Sequence, residues 1–140
     1  MKNVLVLCTG NSCRSQMAQG WLEYYSGGTS NIYSAGIEIL DVNPKAIYSM
    51  AKAGVDISHH TSNHVDEYHA IMFDYIITVC EHAADKCPAI PSKKAVRVHQ
   101  FFFDPSKLKG TDDEIDAAFE RTNKAINAFC KNFVKENLSQ

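Results

Sequence analysis

An apolar run, Val4-Leu5-Val6-Leu7, passes without a break into Cys8-Thr9-Gly10-Asn11-Ser12-Cys13-Arg14-Ser15 and then into a helical pattern. No other stretch constrains the fold as tightly. A short apolar run closed by turn residues reads as a buried strand. Gly10 and Asn11 supply the turn conformations. Met17, Trp21, Leu22 and Tyr25 then recur at helical spacing until Gly27-Gly28 stops them. The unit is strand, loop, helix. A loop that opens a helix turns backbone N–H groups inward and makes a cradle for an oxyanion. Arg14 adds a planar fork that grips such an anion bidentately. Cys8 falls at the cradle floor. An unperturbed thiol is only about 3% thiolate at pH 7, and a helix N-terminus and an arginine both favour the thiolate. Ser15 offers a hydroxyl to hold it. The plain alternative is that Cys8 ends a core strand as a small apolar residue.

The rest of the chain repeats the alternation. Residues 31–35 read as a strand. Asn43-Pro44 opens a helix, with Asn43 as N-cap, a stripe of Ala46, Ile47, Met50 and Ala51, and Gly54 past its end. A weak helical turn is expected over 65–69, a buried strand over 75–79 and another strand over 95–99. Thr111-Asp112-Asp113-Glu114 is a capping box. It starts a last helix with a stripe of Ile115, Phe119, Thr122, Ile126, Phe129 and Phe133, beside which Cys130 packs. Strands alternating with helices imply right-handed crossovers and a parallel sheet covered on both faces. Ligands bind at the carboxyl ends of such strands, where Cys8 and Cys80 both fall. If those two strands are neighbours, about 4.8 Å apart, their cysteines meet at one sheet edge.

Composition sets the class. The 140 residues are expected to form a single domain, 1–140, and 45% of them are hydrophobic, enough for a core. A net charge of −2 argues against nucleic acid or an anionic membrane as partner. Lys93, Lys94 and Arg97 make only a small basic cluster on a strand edge. The first apolar run is too short for a signal-peptide core, and no stretch is long enough to span a bilayer. A cytoplasmic monomer is expected. In that compartment five cysteines, an odd number, speak for catalysis, redox exchange or metal binding rather than structural disulfides.

Cys80-Glu81-His82-Ala83-Ala84-Asp85-Lys86-Cys87-Pro88 is the second constellation. A zinc site from Cys80, Cys87 and His82 lacks the usual ligand spacing. Two unrelated buried cysteines are another reading, and a redox pair beside Cys8 is the favoured one. If 80–87 is helical when reduced, its ends lie about 10.5 Å apart, too far for a disulfide, so oxidation would unwind it. His60 and His64 are expected to be solvated loop residues. Asp104-Pro105 is either a turn signal or a carboxyl placed to protonate a leaving oxygen.

Together these residues resemble the low-molecular-weight tyrosine phosphatase superfamily, and within it the thioredoxin-coupled arsenate reductases. The resemblance spans Cys-Thr-Gly-Asn-Ser-Cys-Arg-Ser at 8–15, Tyr-Ser-Ala-Gly at 33–36, Asp-Ile-Ser at 56–58, Thr-Val-Cys at 78–80, Ala-Asp-Lys-Cys-Pro at 84–88 and Asp-Pro at 104–105. It implies a three-layer α/β fold whose four-stranded parallel sheet has the order 2-1-3-4, with helices on both faces. It makes Cys8 the nucleophile, Arg14 the clamp and Asp104 the general acid. Thr9, Gly10, Asn11, Ser12, Cys13 and Ser15 become the oxyanion-binding loop, with Cys13 outside the relay. Cys80 and Cys87 become the redox disulfide. The implied activity is reduction of arsenate to arsenite, with thioredoxin as external reductant and no metal or organic cofactor. A phosphomonoesterase, or a redox- or metal-sensing module without turnover, is the alternative. Ser106 and Lys107 stand where the phosphatases carry aromatic residues, which weakens the phosphatase reading. Some of these reductases hold a monovalent cation with acidic residues; Gln19 and Asn63 stand at those positions here.

Overall fold

Leu5 and Leu7 point to one side of the first strand, Val4, Val6 and Cys8 to the other, and all five are buried. That double burial is what a central parallel strand requires. The computed structural model describes residues 1–79 and 94–138. Strand β1 (Lys2–Cys8) lies between β2 (Ser30–Gly36) and β3 (Tyr75–Thr78), and β4 (Val96–His99) forms the edge. All pairings are parallel and the order is β2-β1-β3-β4, as the resemblance implies. Cys8 pairs with Gly36, and Leu7 with Thr78. The strands carrying Cys8 and Thr78 are therefore neighbours. Cys80, Cys87 and the helix expected over 80–87 lie outside the described residues.

Val4, Val6 and Cys8 face a core shared with α1 (Arg14–Ser26), α2 (Pro44–Lys52) and α3 (Asp112–Phe133). Leu5 and Leu7 face a smaller cluster with Ala35, Val65, Phe73 and Ile76. There a 3-10 turn, Val65–Tyr68, lies over the sheet, and Tyr33 packs against Tyr68 and Phe73. The expected helix signals hold. Gly27 ends α1 at φ 58°, the Asn43 side chain caps α2, and Thr111 and Glu114 form the capping box of α3. Among the described residues no helix is long and apolar enough to cross a membrane.

The face of α3 departs from the expected stripe. Asn123 and Cys130 are buried, while Ile115 and Phe129 are only half-buried. A buried amide is tolerated because it is satisfied. Trp21 Nε1 donates to Asn123 Oδ1 at 2.7 Å, and Asn123 Nδ2 donates to Ser49 Oγ at 2.8 Å. One side chain thus ties α1, α2 and α3 together. Burial pushes the Cys130 thiol far above its ordinary range, and its Sγ lies 3.7 Å from Ala18 O. Cys130 is a packing residue.

Candidate active site

The backbone between β1 and α1 is held from outside, and this aims it inward. Glu38 N donates to Thr9 O at 3.0 Å, Leu40 N to Gly10 O at 3.1 Å and Asn43 N to Ser12 O at 2.9 Å. In a trans peptide the C=O of one residue and the N–H of the next point in opposite directions. The N–H groups of Gly10, Asn11 and Cys13 therefore point away from the 38–43 segment. Cys13, the residue before α1, makes no side-chain cap, so the first-turn N–H groups of the helix face the loop as well. These amides form a partial positive charge at one spot.

Asn11 is the apex. It is fully buried and holds φ 48°, the left-handed region that asparagine tolerates better than most residues. Every polar group of its side chain is used. Nδ2 donates to Ser34 O at 3.3 Å and to Asn63 O at 3.5 Å, and Oδ1 accepts from Ser15 Oγ at 2.8 Å. Gln16 Nε2 donates to Asn11 O at 2.9 Å. Asn11 and Ser15 shape the loop from beneath rather than lining its cavity.

That cavity measures about 230 Å³, and Cys8, Arg14 and Asp104 line it together with Thr9, Gly10, Ser12 and Cys13. Arg14 is 3% exposed. Its Nη1 donates to Phe102 O at 3.0 Å, and its Nη2 lies 3.5 Å from Asp104 Oδ2. The guanidinium is anchored on the loop after β4, the same loop that carries Asp104. Asp104 has two duties. Its Oδ1 accepts from Ser106 N at 3.0 Å and Ser106 Oγ at 2.6 Å, capping the turn Pro105–Lys107, while Oδ2 turns toward Arg14. The turn reading of Asp-Pro holds, and the same side chain lines the cavity with Cys8 and Arg14. Cys13 lines the same cavity. Burial first, and then the Asp104 carboxylate, push its thiol far above the ordinary range, against the opposing pull of Arg14.

Three contributors were not assigned to the site from the sequence. Gly36 had only its place in a motif. A β-carbon there would lie 2.7 Å from Thr9 O, 2.8 Å from Asn11 N and 2.9 Å from Glu38 O, so the loop closes only over a bare α-carbon. Gly36→Ala is expected to cost about 1–3 kcal/mol of stability through overpacking and to weaken phosphate binding at the loop at least about tenfold. Thermal unfolding and phosphate titration check this, and unchanged phosphate affinity would show that the contact is dispensable. Gln16 and His60 are the others. His60 is not a solvated loop residue. Its side chain is 3% exposed, with Nδ1 3.1 Å from Gln16 Oε1 and Nε2 2.8 Å from Glu23 Oε1. His64 caps the 3-10 turn, its Nδ1 accepting from Asp66 N at 3.1 Å. No periodicity signals such long-range bonds.

Gln19 and Asn63 do not fit a cation cluster. Gln19 Oε1 accepts from Ser34 Oγ at 2.5 Å, and its Nε2 reaches Glu23 Oε2 at 3.5 Å. Asn63 Oδ1 accepts from Thr61 Oγ1, and its Nδ2 donates to Glu67. Both amides are neutral and already engaged by protein groups. Among the described residues no group of three or more His, Cys, Asp or Glu is arranged to hold a metal ion.

Comparison with known proteins places this geometry. The family described as low molecular weight phosphotyrosine protein phosphatase matches residues 3–140. An arsenate reductase of Halalkalibacterium halodurans is 48% identical over 134 residues, covering 96% of each chain. Among solved structures, an arsenate reductase in the reduced state superposes with a TM-score of 0.79 at 27% identity, covering 99% of this chain and 100% of that one. An arsenate reductase in a phosphate-binding state gives 0.74 at 27% identity, covering 97% of this chain and 98% of that one.

Proposed function

This chain belongs to the low molecular weight phosphotyrosine protein phosphatase family, and on that scaffold we propose that it reduces arsenate to arsenite. The observation that carries the reading is the convergence of Cys8, Arg14 and Asp104 on one small cavity, itself set at the mouth of the loop amides. Full-length similarity to arsenate reductases supports the choice of oxyanion. A tetrahedral dianion finds there a bidentate cation, a ring of N–H donors and a sulfur nucleophile. The walls above are Glu38, Leu40, Ser106 and Lys107. No aromatic ring stands among these described lining residues to flank a phenyl ester, and this favours an inorganic substrate over phosphotyrosine.

The chemistry follows in balanced steps. The Cys8 thiolate attacks arsenic, forming an S–As bond. One As–O bond breaks, and Asp104 gives its proton to the oxygen, which leaves as water. Arg14 and the loop amides neutralise the remaining oxygens throughout. The thiolate of Cys80 then attacks Cys8 Sγ. The S–As bond breaks with its electron pair on arsenic, so As(V) becomes As(III) and arsenite departs. Cys87 attacks Cys80 Sγ and releases Cys8. The Cys80–Cys87 disulfide holds the two oxidising equivalents, and the thioredoxin dithiol removes them by exchange. The sequence places Cys80 one peptide bond beyond Val79, whose N–H donates to Leu7 O beside Cys8 at 3.0 Å. The metal-free, cofactor-free cycle and the cytoplasmic setting that supplies thioredoxin belong to the same proposal.

Incubation with arsenate, thioredoxin, its reductase and a nicotinamide donor tests it. Arsenate-dependent donor oxidation is expected. Cys80→Ser and Cys87→Ser should each abolish it while leaving any slow release of phosphate from a small aryl ester intact, because the relay serves only the redox half. Turnover that survives without Cys87 would remove the relay from the mechanism. Loss of both activities in both variants would mean a structural role for the two cysteines.

A further inference from the structure

We propose that Gln16 is a positioning residue for the oxyanion loop, fixing the direction of the Ser12 N–H through one direct hydrogen bond to the carbonyl of Asn11. The inference rests on reading residues 8–15 as an oxyanion loop. Four carbonyls of that loop decide where the N–H groups that follow them point. Three are held by backbone donors: Thr9 O by Glu38 N, Gly10 O by Leu40 N and Ser12 O by Asn43 N. No substitution removes those donors short of proline. The fourth is held by a side chain, Gln16 Nε2 donating to Asn11 O at 2.9 Å. One peptide plane of the cradle is thus set by a residue that is not part of the loop.

Chemistry settles which way the Gln16 amide faces. Nε2 also donates to Thr61 O at 2.9 Å. Both amide hydrogens are spent on carbonyls, and a flipped amide would set an oxygen against two oxygens. Oε1 is the atom that meets His60 Nδ1 at 3.1 Å. A ring with its proton on that nitrogen, neutral or charged, supplies the hydrogen. Gln16 is fully buried, and a buried amide with every polar atom bonded has no alternative partner to turn to. It stands in the first turn of α1, so one side chain joins the helix, the loop and the chain at Thr61. Asn11 holds φ 48°, and its carbonyl turns down to Gln16 beneath the loop. The Ser12 N–H on the same peptide plane points the opposite way, to the side on which Ser12 lines the cavity.

Sulfate titration of the reduced chain, followed by magnetic resonance, tests the role. Sulfate is a tetrahedral dianion whose charge does not change across the neutral range. In the native chain it is expected to move the amide resonances of Gly10, Asn11, Ser12 and Cys13. Gln16→Met removes both donors and keeps the bulk. It should weaken sulfate binding about tenfold, the scale of one hydrogen bond to a charged group. The response of the Ser12 amide to saturating sulfate should largely disappear. The other three amides, on planes that the 38–43 segment holds, should keep theirs. Asn123→Ala is the control for lost stability, since its bonds reach Trp21 and Ser49 and no loop residue. It should lower the unfolding temperature and leave sulfate affinity within about twofold, as expected of an independent site. Unchanged sulfate affinity in Gln16→Met would overturn the proposal, as would an equal loss of response at all four amides. If Gln16→Met does not fold, hydrogen exchange of the Gln16 side-chain amide in the native chain decides. Linkage requires sulfate to slow that exchange, and exchange indifferent to sulfate would overturn the role. Failure of the native chain to bind sulfate would sink the oxyanion-loop reading instead. The ligand-free Ser12 amide would then still judge Gln16, its displacement alone in Gln16→Met supporting the role and its constancy overturning it.

Discussion

Cys8→Ser is expected to lose arsenate turnover by on the order of a millionfold, the scale of loss when a covalent catalyst is deprived of its nucleophile. A serine hydroxyl is not ionised near neutral pH, and nothing among the described groups of the cavity is a general base strong enough to make it so. Cys8 occupies the carboxyl end of the central strand, with its register partner Gly36 on one side and the Arg14 guanidinium across the same cavity. The substitution changes one atom and leaves the amides and Arg14 in place, so phosphate binding should survive within a few-fold. Donor oxidation in the coupled assay measures the first quantity and phosphate titration the second. Arsenate turnover near the native rate would remove Cys8 as nucleophile. Loss of phosphate binding together with activity would indicate that the loop had collapsed.

Asp104→Asn is expected to slow the first chemical step by about a hundred- to ten-thousandfold, the usual worth of a positioned general acid. The geometry makes the variant informative. Oδ1 caps the turn at Ser106, and an asparagine oxygen keeps that cap. Oδ2 lies 3.5 Å from Arg14 Nη2, and there an amide nitrogen would lose the ion pair without filling more space. Single-turnover rates across pH read the acid, and oxyanion affinity reads the arginine. A large fall in rate with affinity kept within a few-fold is the expected pattern. Weakened affinity with an unchanged single-turnover rate would assign Asp104 to holding Arg14 and leave the departing oxygen to water.

Much of this protein was legible before any coordinates. Alternating double-sided and single-sided apolar runs, the Asn43-Pro44 start, the Gly27 stop and the Thr111 box are local signals. They survive because caps and turns act within a few residues of chain. The strand-to-helix junction likewise announced the site, since Cys8 and Arg14 belong to one continuous segment. Asp104 was readable as a turn residue or as a general acid, but its contact with Arg14 was not.

What tertiary structure alone decided lies between segments distant in sequence. Gly36 is required because β2 pairs with β1 at Cys8, a register that no local pattern writes. Asn123 enters the core because Trp21 on another helix reaches it. His60 reads as a loop histidine until the fold brings Gln16 to one of its nitrogens and Glu23 to the other. The physical reason is common to all three. Periodicity reports how much of a side chain is hidden from water. The partners a buried polar atom finds, and whether a β-carbon has room, depend on where other segments pass. Those positions follow from the packing of the whole sheet and its helices.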